Sequence, residues 1–376
     1  MRLEGILLTP RGWVMGALAV GADGRIAGVD GEPADSLRVR DAGLPMVMPG
    51  FIDAHVHGGG GRDVMEGGDA VVRVAQLHAR HGTTSLLATT MTAPSEDLER
   101  ALAGIAPHCA APVPGGARVL GVHLEGPCIN PGKLGAQPDF ARPFDIAEWR
   151  RLAAIAPIRL VTLAAETAAN RDAIATLCGE GVRVQLGHSL ATYEEGVDAL
   201  ARGATGFTHL FNAMSGLHHR APGLVGAALS HAQYAELIPD LLHVHPGAVR
   251  VALRAIPRLF CVTDSTAAAG MPDGEYRLGR QAVHKCLGGV RLADGTLAGS
   301  TLTMDEALRN LVDVLGLDLA DASRRLSTFA ADFLGLADRG RLAPGAWADV
   351  VVLDRDLRLR EVFTEGRRVG DAPPAP

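Results

Sequence analysis

Cysteine is scarce in this chain and its spacing carries no motif. Cys109, Cys128, Cys178, Cys261 and Cys286 form no C-x-x-C pair and are odd in number. That argues against a disulfide framework and for a reduced, cytoplasmic setting. Long apolar runs are missing too. The opening Met1–Gly5 begins no apolar stretch of the kind a secretory leader needs, and no run approaches bilayer length. No membrane contact is expected. Basic clusters are also lacking: the formal net charge is -6, and nothing forms the positive patch that nucleic acid demands. There is no internal repeat and no low-complexity segment. Only Asp371–Pro376, rich in proline and alanine, reads as a loose end.

What is present is a long chain with an ordinary core. Its 376 residues are 47% apolar, which suits a large barrel with an accessory domain. Residues 1 to 48 read as short strands, Gly5–Leu8, Ala17–Val20 and Arg25–Val29, with a turn at Gly21–Gly24. From Met46 the rhythm changes to strand-like runs alternating with amphipathic helices. The runs are Met46–Ile52, Thr83–Ala88, Val119–Leu124, Ile158–Ala164, Val182–Leu186, Gly206–Leu210, Ala235–Leu242 and Leu259–Val262. Helices are expected at Asp69–Arg80, Ser95–His108, Asp145–Ile155, Asn170–Glu180, Tyr193–Arg202 and Gly247–Ile256, with Asp69, Ser95, Asp145 and Asn170 as caps. This alternation predicts an α/β fold, a (β/α)8 TIM-like barrel over residues 49–339. A doubly wound open sheet is the alternative. Two further helices follow, near Met304–Leu315 and Ala320–Leu334, and then short strands return at Gly345–Asp354 and Glu361–Phe363. Residues 1–48 and 340–376 are therefore expected to form one discontinuous β-sandwich domain.

In a barrel, reactive groups belong at the C-terminal ends of strands. His55 and His57 close the first run and, two residues apart on a strand, share one face. Glu125 follows the third run, His188 the fifth, His209 the sixth and Asp264 the eighth. Taken singly, each is ordinary: a hydrogen-bonded histidine, a helix cap, a turn aspartate. Six such residues at five strand ends point to a metal site. Four imidazoles and a carboxylate suit Zn, Fe or Mn better than Ca or Mg, and suffice for one or two divalent ions with Glu125 as the bridge. An ion with an open position acidifies bound water, and Asp264 is then the natural general base and later acid.

Two terminal motifs, Pro-Gly-Phe-Ile-Asp-x-His-x-His at 49–57 and Pro-Gly-x-x-Ala-Asp-Val-Val-Val-Leu-Asp at 344–354, resemble the two ends of the amidohydrolase superfamily. Interior strings resemble the N-acetylglucosamine-6-phosphate deacetylase family within it. They are His123–Pro127, Gly187–Ser189, His209–Met214, Arg220–Gly223, His243–Val244, Val262–Asp264 and Gly299–Met304. The likeness runs in order over nearly the whole chain. It implies a metal-dependent barrel that cleaves a linear amide on a small phosphosugar. It assigns the main ion to Glu125, His188 and His209, and the water-activating base to Asp264. It also places the sugar near Asn212, Ala213 and Leu302, and the 6-phosphate on His243 and Arg220. Arg220 would come from the neighbouring subunit of a homodimer.

Three features depart from that family. His55 and His57 stand where some members carry non-ligating amides, which makes a second ion plausible. Gln137 occupies the loop position of a carbonyl-polarising histidine, so a second ion would polarise the substrate while Gln137 orients it. Leu242 precedes His243 where glycine is expected, and His218 and His219 are extra. These changes leave the amino-sugar epimer open, the N-acetylgalactosamine 6-phosphate analogue being the alternative substrate. Superfamily members that act on cyclic amides bridge their ions with a modified lysine on the fourth strand, and Ile158–Glu166 contains no lysine. A non-catalytic phosphosugar-binding or scaffold protein of the same fold should have lost part of the set, and here the set is complete.

Overall fold

The computed structural model describes residues 1–370; the expected loose end, Asp371–Pro376, lies outside them. Eight parallel strands follow one another round the centre: Phe51–Val56, Thr83–Thr90, Arg118–Glu125, Ile158–Leu163, Arg183–Leu186, Gly206–Phe207, Tyr234–Leu237 and Arg258–Cys261. The first six form one parallel sheet in chain order, and the last two pair in parallel beside it. Both seams are stitched by backbone hydrogen bonds. Leu210 N donates to Glu236 O at 2.9 Å, and Asp264 N donates to His55 O at 2.9 Å. Chain order without reversal is the pattern of a closed (β/α)8 barrel, not of a doubly wound sheet.

The strands are buried over most of their length and rich in Val, Leu, Thr and Phe, as strands covered on both faces must be. Beneath the C-terminal mouth the lumen is polar, and a chain of hydrogen bonds runs through it. His123 Nε2 meets Thr162 Oγ1 at 2.7 Å, Thr162 Oγ1 meets Thr208 Oγ1 at 2.7 Å, and Thr208 Oγ1 donates to Gln185 Oε1 at 3.2 Å. Thr162 sits on the fourth strand, Ile158–Leu163, which contains no lysine.

Several boundaries differ from the sequence-based expectation for local reasons. Met46–Ile52 is two strands, Met46–Pro49 and Phe51–Val56, broken at Gly50. A Cβ on Gly50 would lie 2.3 Å from Thr84 Cγ2, so only glycine lets the chain pass there. The sixth strand stops at Phe207 because His209 turns to a positive φ of 28°, and the seventh stops at Leu237 before Pro239. Asp145 caps its helix through Ala147 N and Glu148 N, but Asp69 makes no side-chain cap. Ser95 is the first helical residue after Pro94. Asn170 lies inside the helix Ala168–Gly179 and bonds instead to Phe144 N, Cys128 O and Ala164 O. The helix expected over Ala320–Leu334 is two, split at Ser327.

Strands from both ends of the chain pair in a seven-stranded sheet. Its order is Arg367–Arg368, Leu359–Thr364, Val350–Leu353, Met46–Pro49, Arg2–Thr9, Gly12–Val20 and Ile26–Pro33. Leu7, Leu18, Ile26, Val47, Val350 and Phe363 form its own apolar core. The buried Arg339 guanidinium reaches Asp349 Oδ2 at 2.5 Å and also pairs with Glu365. After the eighth strand an unexpected three-stranded sheet, Gly274–Leu278, Gln281–Cys286 and Gly289–Arg291, folds over the mouth.

Candidate active site

The reactive side chains come from the C-terminal ends of five barrel strands, His55 and His57 sharing the first, so the barrel places them without long loops. His55 and His57 share a face, as the period-two geometry requires, with Nε2 atoms 3.2 Å apart. Glu125 stands at the centre and uses its two oxygens differently. Oε1 lies 3.1 Å from both His188 Nε2 and His209 Nε2. Oε2 lies 3.2 Å from His57 Nε2 and 3.5 Å from His55 Nε2. Asp264 Oδ1 completes the second cluster, 3.2 Å from His57 Nε2 and 3.4 Å from His55 Nε2. Two groups of ligand-type atoms therefore meet at one carboxylate.

The rings are aimed from behind. His57 Nδ1 lies 3.1 Å from Thr89 O, His188 Nδ1 2.8 Å from Lys133 O, and His55 Nδ1 3.0 Å from Glu236 Oε2. An acceptor at Nδ1 puts the proton there and leaves the Nε2 lone pair facing the cluster. The backbone is strained at the same place. His188, His209, Phe211, Ala213 and Asp264 all hold positive φ, each at a cost on the order of 1–3 kcal/mol. Gly299 closes the rim with φ +58°, where a Cβ would lie 2.7 Å from Asp264 O.

The donor chemistry fits a divalent cation. In the metal-free protein, burial disfavours charge on Glu125, Asp264, His55 and His57, yet opposite charges outweigh it. Burial raises the Glu125 carboxyl, but His55 and hydrogen bonds from His188 and His209 hold it well below the usual carboxylate range. Asp264 is likewise raised by burial but brought down to about 2 by His55 and His57. Burial lowers His57, but hydrogen bonds to Asp264 and Glu125 lift it to about 9, and His55 is driven well above its ordinary value. Protons on His55 and His57 thus occupy the place that cations of higher charge would take. His123, buried with no carboxylate in hydrogen-bond contact, goes the other way and stays neutral.

A cavity of about 340 Å³ opens over the cluster, within the range of small-molecule sites. His57, Glu125, Gln137, His188, His209, Asn212, Ala213, His243 and Asp264 all line it, and His55 lies just beneath. Gln137 is clamped rather than free: its Nε2 donates to Glu125 Oε2 at 2.6 Å and its Oε1 accepts from Thr92 N at 2.7 Å. His243 Nδ1 lies 2.6 Å from Asp240 Oδ2. Burial lowers this imidazole, but the Asp240 contact more than compensates and raises it.

Two expected residues stand apart. Leu302 is buried in the core and does not line the cavity, and Arg220 is exposed on the Gly216–Ala221 loop, also outside the lining. Leu242 does not narrow the cavity either; it is half-exposed and its N donates to Asp240 Oδ1 at 2.9 Å. His218 and His219 are exposed and lie against each other with tilted rings, 4.2 Å between centroids. Sequence reasoning missed Glu236, Thr89, and the lining residues Met91, Leu278, Thr296 and Leu297. No local motif marks Glu236, whose partner His55 lies 181 residues away.

Residues 46–369 match the family model described as the amidohydrolase family. The N-acetylgalactosamine-6-phosphate deacetylase of Escherichia coli O157:H7 is 43% identical over 368 residues, which is 96% of this chain and 97% of that protein. The N-acetylglucosamine-6-phosphate deacetylase of Lysinibacillus sphaericus is 40% identical over 329 residues, 85% of this chain and 84% of that protein. Among solved structures, a mutant N-acetyl-D-glucosamine-6-phosphate deacetylase of Mycobacterium smegmatis, in complex with N-acetyl-D-glucosamine-6-phosphate, superposes with a TM-score of 0.89. It is 36% identical, and the match covers 98% of this chain and 99% of that one.

Proposed function

The chain belongs to the amidohydrolase family, and we propose that it hydrolyses the acetamide of N-acetylglucosamine 6-phosphate to glucosamine 6-phosphate and acetate. The observation that carries this reading is Glu125, whose two oxygens face two imidazole pairs at the floor of a sugar-sized cavity. Glu125, His188 and His209 would hold one ion, and His55 and His57, with Glu125, would hold a second. Zn, Fe and Mn all suit this donor set. Such ions would supply Lewis acidity, which acidifies a water and polarises the acyl oxygen.

The chain's own groups do the rest. Asp264, ionised and buried beside His57, accepts a proton from the attacking water. The water oxygen bonds to the acyl carbon. As the carbon–nitrogen bond breaks, Asp264 returns that proton to the leaving amine, and acetate departs. Gln137, fixed on Glu125, orients the acetamide rather than activating it. Asn212 and Ala213 hold the sugar from the loop after His209. His243, whose charged form the Asp240 contact favours, faces the phosphate. We read Arg220 as a phosphate ligand given to the site by a second copy of the chain, which its exposed position allows. No helix among the described residues is long and apolar enough to cross a membrane, and the reading assigns the enzyme to the cytoplasm.

The E. coli relative favours one alternative, the galactosamine 6-phosphate epimer. Acetate release from the two 6-phosphates and from unphosphorylated N-acetylglucosamine separates the readings. Preference for N-acetylglucosamine 6-phosphate supports the proposal. Preference for the epimer transfers it to the alternative, and equal turnover without phosphate removes the roles given to His243 and Arg220.

A further inference from the structure

Glu236 closes the seventh barrel strand and is completely buried. Among the described residues no arginine or lysine pairs with it. Its Oε2 accepts from His55 Nδ1 at 3.0 Å and from His209 N at 3.3 Å, while Oε1 has no partner. A carboxylate with so few partners is expensive to bury. What the fold gains from it is control of one ring.

The four imidazoles differ at their outward nitrogen. His57 and His188 rest on backbone carbonyls, and His209 Nδ1 has no partner. His55 alone is backed by a carboxylate. It is also wedged from the side by His123, edge-on with ring centroids 4.6 Å apart. Glu236, His55 and His123 approach closely enough to resemble a third ligand group. However, His123 Nε2 is engaged by Thr162, and His55 has its Nε2 in the main cluster. The trio reads as a support, not a site.

We propose that Glu236 is the positioning residue for the ion at His55 and His57. It holds His55 as the Nδ1–H tautomer, so that Nε2 presents its lone pair beside His57 Nε2 and Glu125 Oε2. It also raises the donor strength of that nitrogen. Its contact with His209 N touches the other ion's ligand only through the backbone, so that ion depends on it less. This inference rests on the two-ion reading above.

Glu236→Gln keeps the shape and removes the charge. Zinc affinities of wild type and variant are measured by chelator competition, with nitrogen-15 histidine spectra of the zinc-loaded proteins alongside. Two ions are expected in the wild type. In Glu236→Gln the weaker ion should bind about 10- to 100-fold less tightly, with the tighter ion within threefold and the His55 Nδ1–H signal shifted or lost. Unchanged binding of both ions overturns the inference while leaving two ions standing. A single ion in the wild type overturns the two-ion reading and this inference together. If Glu236→Gln does not fold, Glu236→Asp decides. Weakening confined to one ion supports positioning, and equal weakening of both means a packing role and refutes it.

Discussion

Replacing Asp264 by asparagine removes one negative charge and one proton acceptor while keeping the volume of the side chain. The site around it is tight: Asp264 is buried, holds a positive φ of 49°, and places Oδ1 3.2 Å from His57 Nε2. Asparagine tolerates that backbone region well, so the fold should survive. The chemistry should not, because no other carboxylate lining the cavity is free to take the water proton and return it to nitrogen: Glu125 is shared among the imidazoles, and Glu236 lies outside the lining. In the two-ion reading His55 and His57 serve as ligands, and Gln137 has no titrating group. General acid–base assistance is worth about 100- to 10,000-fold, or roughly 3 to 5 kcal/mol of barrier. The loss should fall on kcat, with KM changed by less than about threefold, because His243 and its Asp240 partner are untouched. Steady-state acetate release from metal-loaded protein measures both. A variant that keeps more than about a tenth of wild-type kcat would refute the assignment of Asp264 as base.

His243→Asn should raise KM for the phosphorylated substrate about 10- to 100-fold with little change in kcat, since a charge-assisted bond contributes about 1.5–3 kcal/mol; the unphosphorylated sugar, turned over by both proteins, should show no difference. In metal-free protein His57 is raised to about 9. A raised folded-state pKa stabilises fully below the ordinary value near 6.5 and loses that contribution as pH climbs through about 9. The melting temperature of chelated protein should therefore fall over that window, and His57→Ala should flatten the fall. The same protons compete with cations, so ion affinity should rise with pH there. Arg339→Leu breaks the buried pair with Asp349 and strands that carboxylate, at a cost of about 3–5 kcal/mol. Urea unfolding should show the loss, while kcat of the folded protein stays unchanged.

Much of the site was legible because it is built from strand ends. His55 and His57 announce themselves by spacing, and Glu125, His188, His209 and Asp264 each end an apolar run that the barrel must bury. The supports were not legible. Glu236 reads as one polar residue in a strand, and only closure of the barrel brings it against His55. Gln137 could be placed in the right loop, but its clamp between Thr92 N and Glu125 is a tertiary contact. The helix Gly223–His231 was missed because its buried face includes glycine and alanine on all sides, which leaves no periodic signal. The sheet over the mouth was missed because its strands are short and exposed, with little apolar alternation.

In the proposed hydrolytic centre Glu125 would help to hold two divalent ions. Stripped protein titrated with Zn, with acetate release followed at each addition, tests it directly. Activity on N-acetylglucosamine 6-phosphate should rise until two equivalents per chain are bound, and His55→Ala should stop taking up metal at one with most of the activity gone. Full activity at one equivalent, in wild type and His55→Ala alike, would contradict it.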